Sequence, residues 1–158
     1  MNYMKIDKCS VTNGIGVRTV LWVSGCTLNC KGCQNPECHS FDAGKEFNED
    51  NLKQLLGYLS KPYIQGLTIS GGHPLEDKNL NDVYNIIKKV KMVYPTKDIW
   101  IYSGYTLKEI IERDEAFEKH EVNGVSPFDV IKECDVLVDG RFDINKRDIS
   151  LAFRGSSN

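Results

Sequence analysis

Four of the six cysteines lie between Cys26 and Cys38, and the first three follow a C-x3-C-x2-C spacing: Cys26-Thr27-Leu28-Asn29-Cys30-Lys31-Gly32-Cys33. Three thiolates this close can fold around a cube of iron and sulfide. A fully protein-ligated [4Fe–4S] cluster takes four cysteines, so a loop supplying three leaves one iron open to a substrate. Zinc sites more often pair C-x2-C elements across a gap and close a four-ligand shell. On spacing alone both metals remain open. Cys38 is a candidate fourth ligand that would close the site, with His39 as its substitute. Cys9 and Cys134 stand apart in the chain and read as small buried hydrophobes.

A second constellation is Ser70-Gly71-Gly72-His73-Pro74. Two glycines let a backbone approach a ligand closely and take positive φ. Pro74 fixes the exit of the chain and biases His73 away from helix. His73 reads either as a neutral acceptor for a ligand or as an ordinary loop residue.

These residues need elements to position them. The β-branched and aromatic run Thr19-Val20-Leu21-Trp22-Val23 reads as a buried strand that delivers the chain to Cys26. Leu67–Ser70, Ile99–Tyr102 and Val136–Val138 read as three more strands. Between them, residues 49–60 place Leu52, Leu55, Leu56 and Leu59 on one helical face, and residues 80–93 do the same with Leu80, Val83, Ile86, Ile87 and Val90. Shorter helical patterns cover 107–119 and 127–133, and the charged segment Glu112–Val125, with Asn123-Gly124, reads as a surface elaboration. Alternating strands and helices imply βαβ units and a mostly parallel sheet, in which ligands bind beyond the carboxyl ends of the strands. All four strands end in polar or glycine-containing turns, which should meet at that edge.

Bulk properties set the remaining bounds. A chain of 158 residues fits one domain, 1–158. A hydrophobic fraction of 41% and a charged fraction of 27% are those of an ordinary globular protein. A net charge of -2 gives no reason to propose nucleic acid or an anionic membrane as partner. No apolar run approaches the roughly 20 residues that span a bilayer, and MNYMKIDKCS lacks the apolar region of a signal peptide. A cytoplasmic location is the default expectation, and there a thiol cluster more often means metal or redox chemistry than disulfides.

The cysteine loop resembles the signature of the radical S-adenosylmethionine (SAM) superfamily. Gly71-Gly72-His73-Pro74 is similar to its Gly-Gly-acid-Pro element, with His73 where an acid is usual. Asn13-Gly14-Ile15-Gly16-Val17-Arg18, Asp98–Tyr105, Asp135–Phe142 and Phe153-Arg154-Gly155-Ser156-Ser157-Asn158 closely resemble the activating proteins of anaerobic ribonucleoside-triphosphate reductase. The small size and Gly32 before the third cysteine fit that family. Its C-terminus often continues past the Arg-Gly-Ser-Ser-Asn segment, so the chain either is truncated or simply ends there.

The resemblance implies an α/β fold of radical SAM type, a partial (incomplete) βα barrel with a mostly parallel sheet. It implies a [4Fe–4S] cluster on Cys26, Cys30 and Cys33, with SAM on the open iron. A 5′-deoxyadenosyl radical would remove hydrogen from a glycine of the reductase's large subunit, and a reducing protein would supply the electron. No catalytic residue is implied beyond the cluster and SAM. Gly32, Cys33 and Gln34 would touch the adenine end of SAM, while Gly71, Gly72 and His73 would lie at its amine. Ser103, with Tyr105, would lie near the nucleoside. Asp139 and Arg141 end the fourth strand, where Arg141 is either a partner of the SAM carboxylate or a surface arginine. Arg18 is expected in a structural salt bridge. The competing readings are an activator of another glycyl radical enzyme such as pyruvate formate-lyase, a small-molecule enzyme of the deazapurine synthase type, and a zinc or cluster-binding module.

Overall fold

The run Thr19–Val23 lies inside a longer strand. In the computed structural model, which describes residues 1–119 and 124–158, this strand is β2 (Val17–Val23), preceded by β1 (Asn2–Ser10). The chain continues through β3 (Lys45–Glu46), α1 (Glu49–Leu59), β4 (Ile64–Gly71), α2 (Asp77–Val93), β5 (Asp98–Tyr102), α3 (Leu107–Lys119), α4 (Pro127–Lys132) and β6 (Val136–Val138). The four expected strands and four expected helices are therefore present. The segment read as a surface elaboration begins inside α3, and Asn123 lies outside the described residues.

The sheet has six strands in the order β3-β1-β2-β4-β5-β6. β2, β4, β5 and β6 pair in parallel, while β1 runs antiparallel to both β2 and β3. The sheet is open, with β3 and β6 as its edges. β1 and β3 escape sequence periodicity for a physical reason. NYMKIDKCS mixes polar and apolar residues because only part of the strand is covered, and β3 is two exposed residues held by pairing to Asn2 and Tyr3. Cys9 corrects an expectation: it lies near the end of β1, beyond the reach of β3, and is exposed. Cys134 packs against the core, and its thiol donates to the Val130 carbonyl.

Side chains alternate between the faces of a strand, and here the two faces have different jobs. Leu21, Val23, Leu67, Ile69, Ile99 and Ile101 are fully buried in one hydrophobic cluster with Leu55 and Leu59 of α1 and Leu80, Val83, Ile87 and Val90 of α2. α1 is fixed at its start by a reciprocal cap between Asn48 and Asn51. The opposite face carries Arg18, Thr68, Trp22, Ser70, Trp100 and Tyr102. Arg18 is fully buried there, donating to Asp98 Oδ1 and Thr68 Oγ1 at 2.7 Å and to the Leu67 carbonyl at 2.8 Å. The expected salt bridge is present, and these bonds satisfy a charge that would otherwise be costly to bury.

After β6 the chain returns across this second face. Arg147 and Ser156 form an antiparallel bridge, and Phe153 meets Trp100 edge-on at 5.3 Å between ring centres. The C-terminal segment thus becomes the lid of the polar face, and α1 and α2 the cover of the apolar one.

Candidate functional site

β2 delivers the chain to the cysteine loop, whose base is stitched to its surroundings by backbone hydrogen bonds. Gly25 N–H donates to the Cys38 carbonyl at 2.8 Å, and Cys26 N–H to that of His39 at 3.0 Å. From β4, Gly72 N–H donates to Val23 O and His73 N–H to Gly25 O, both at 2.8 Å. The two glycines permit this approach. Gly71 has φ +108°, and a Cβ on Gly72 would fall 2.6 Å from Gly25 O and 2.8 Å from Cys38 O. The Gly-Gly element therefore joins the end of β4 to the root of the cysteine loop.

Within the loop, Cys26, Cys30 and Cys33 are half-buried. Asn29 (φ +46°) and Gly32 (φ +75°) turn the chain tightly between them, and Asn35 N–H points at Cys33 Sγ from 3.4 Å. An N–H donor favours the thiolate form that metals require. Burial raises the Cys26 thiol above its ordinary value, against the pull of the Leu28 amide. Cys38 is buried at the far end of a short 3-10 turn (Pro36–Cys38), and burial pushes its thiol up to about 11. Among the described residues, no three His, Cys, Asp or Glu side chains are grouped as a single metal ion requires. In donor type, three half-buried cysteines on one loop suit a cube of iron and sulfide, whose protein ligands are cysteines.

Beside the loop, on the second face of the sheet, lies a cleft of about 370 Å³, within the roughly 300–1,000 Å³ typical of cofactor sites. Its floor is Trp22, Ser70, Tyr102 and Val138, and the C-terminal segment contributes Phe153, Arg154, Gly155 and Asn158. Of the residues singled out in the sequence, Cys33, Gln34, Ser103 and Asp139 wall this cleft. Gly32, Gly71, Gly72, His73 and Arg141 stand outside its lining. Gly32 packs under Ile144, while Gly71 lies one shell behind, its carbonyl receiving Asn35 Nδ2 at 3.5 Å.

Arg141 pairs with Glu109 Oε1 at 2.6 Å and lies over the Tyr105 ring. Asp139 has a structural bond as well, its carboxylate accepting the Leu107 N–H at 2.7 Å. Arg154, which the sequence marked only as part of the Phe153–Asn158 segment and gave no site role, is the cation of the cleft lining among the described residues.

His73 is almost fully buried. Its Nδ1 lies 3.4 Å from Glu76 Oε1 and its Nε2 lies 3.1 Å from Ser103 Oγ, with the ring edge-on to Tyr105. Glu76 Oε1 also accepts the backbone N–H and the hydroxyl of Thr27, each at 2.8 Å. Burial would raise this carboxyl's pKa, but the bonds from His73 and Thr27 outweigh it and hold the value at about 2. Glu76 has no motif to announce it. An acid just before a helical run normally reads as a capping or dipole residue.

A model of the family described as a 4Fe-4S single cluster domain matches residues 12–158. The chain is 39% identical to the anaerobic ribonucleoside-triphosphate reductase-activating protein of Pasteurella multocida, covering all of this chain and 94% of the relative. It is 37% identical to the protein of that name from Enterobacteria phage T4, covering 91% of it, and 34% identical to that of Escherichia coli K12, covering 96%. Among the described residues no helix is long and apolar enough to cross a membrane. With its cysteine loop intact and its whole length matched, this chain belongs to the family of anaerobic ribonucleoside-triphosphate reductase-activating proteins.

Proposed function

We propose that the protein is a radical SAM activase that installs a glycyl radical on the large subunit of an anaerobic ribonucleoside-triphosphate reductase. The observation that carries this reading is the placement of Cys33 and Gln34 in the wall of the cleft, facing the strand ends at Ser103 and Asp139. Cys26, Cys30 and Cys33 would then hold a cluster beside a space of cofactor size, with Cys33 in its wall. When bound, the cluster and SAM supply the hydrogen-abstracting chemistry.

The chain's own residues bind and orient. Cys26, Cys30 and Cys33 hold the cluster, and the Gly71–Gly72 junction sets the loop against β4. Gln34, Ser103 and Asp139 offer hydrogen-bonding groups to the nucleoside, and Arg154 offers a guanidinium suited to a carboxylate. In this reading the open sheet is the partial βα barrel of the superfamily. Such an opening favours a protein substrate, because a docked chain would complete the enclosure and exclude water. Val11 and Ile15, flanking the cleft residues Thr12 and Asn13, are 68% and 64% exposed, and Ile149 is 89% exposed.

The reading is tested by anaerobic reconstitution, reduction and addition of SAM. Formation of 5′-deoxyadenosine, lost in Cys30→Ala, supports it. Stoichiometric zinc without iron or sulfide would favour a metal-binding module instead.

A further inference from the structure

We propose that Glu76 is a positioning residue for the iron–sulfur cluster, fixing the cysteine loop through Thr27 and held in turn by His73. This rests on the assignment of Cys26, Cys30 and Cys33 as ligands.

Glu76 occupies the N-cap position of α2, yet its side chain makes no capping bond to that helix. The carboxylate turns instead to the loop and accepts both donors of Thr27, the residue that follows Cys26. Glu76 is only 6% exposed. A carboxylate buried this deeply is costly unless its acceptor sites are filled, and here three donors converge on one oxygen.

The donor directions are assigned from the partners. With Glu76 as acceptor, His73 Nδ1–H donates to it. His73 Nε2 then accepts the Ser103 hydroxyl, while Ser103 Oγ accepts Tyr105 N–H at 2.9 Å. A continuous hydrogen-bonded chain, buried from His73 onward, thus runs from the cysteine loop, through the start of α2, to the end of β5. Asn79 closes the same corner by donating to Ser24 O at 2.9 Å and His73 O at 3.1 Å. The histidine at the usual acid position therefore orients an acid three residues further on.

Three properties test this: iron and sulfide per chain after anaerobic reconstitution, the electron paramagnetic resonance spectrum of the reduced cluster with and without SAM, and the melting temperature of the cluster-free protein. Glu76→Ala should reduce cluster content at least twofold and blunt the spectral change caused by SAM. Glu76→Gln keeps an oxygen acceptor for Thr27 and should recover most of both. Should Glu76→Ala fail to fold, Glu76→Asp, whose carboxylate is drawn back by one methylene, should show the same loss in weaker form. Wild-type cluster content and SAM response in the folded Ala or Asp variant would overturn the proposal, even with a lower melting temperature, since the role would then be structural only. Cys30→Ala tests the foundation separately. If it keeps its cluster, the ligand assignment falls and the positioning role falls with it.

Discussion

His73 donates its backbone N–H to the Gly25 carbonyl at 2.8 Å, so the residue after the glycine pair is tied to the residue before the first cysteine. The contact leaves no room for a side chain on Gly72. Gly72→Ala should push the root of the loop away from β4 and cost about 1–3 kcal/mol, as overpacked sites do, with loss of cluster content. Gly57, in α1, has open space where a Cβ would stand, with nothing within 4 Å. Gly57→Ala should raise stability by about 0.5–1 kcal/mol and leave cluster content alone. Denaturant melts with iron analysis read both.

Cys38 and Cys30 should differ sharply. Cys38 is buried with its thiol pushed up to about 11, and its carbonyl accepts the Gly25 N–H at the loop root. Cys38→Ala should keep the reconstituted cluster and SAM cleavage, losing about 1 kcal/mol of stability for the small void. Cys30→Ala should lose both cluster and cleavage. Loss of the cluster in the Cys38 variant would mean a fourth ligand.

For His73, affinity and stability should separate. The ring is outside the cleft lining and engaged with Glu76 and Ser103. His73→Ala should weaken SAM binding tenfold or less, the reach of one ordinary hydrogen bond of about 0.5–1.5 kcal/mol. It should lower the melting temperature of the cluster-free protein clearly, because two buried groups lose partners. A several-hundredfold loss of SAM affinity would make His73 a direct ligand.

The acid limb of stability should carry the signature of Glu76. Its pKa falls from an ordinary 4.5 to about 2 on folding, so the unfolded chain takes up the proton first as pH drops. The stabilisation is fully present above about pH 4.5 and is lost as pH falls toward about 2. Melts of the cluster-free protein and of Glu76→Gln should therefore converge across that window. A gap that stays constant from pH 6 to pH 3 would contradict it.

Much of this was legible in the sequence because periodicity reports burial. β2, β4, β5 and β6 are covered on at least one face and read as apolar runs, and α1 and α2 carry full apolar stripes. β1 was not legible, since its pairing depends on β2 and β3 rather than on its own pattern. In the site, spacing marked Cys26, Cys30 and Cys33, and strand ends marked Ser103 and Asp139. Glu76, and the place of Arg154 in the site, were hidden for the opposite reason. Their positions follow from tertiary contacts between segments far apart in sequence, Thr27 with Glu76 and the C-terminal segment with the second face of the sheet.

The most direct test is electron paramagnetic resonance on a mixture of the reduced, reconstituted protein, SAM and the large reductase subunit. A glycyl radical signal should appear only when all three are present, and should be absent when the reductase's target glycine is changed to alanine. The central claim is contradicted if the mixture yields no complex and no glycyl radical while a small metabolite, in place of the reductase, stimulates formation of 5′-deoxyadenosine.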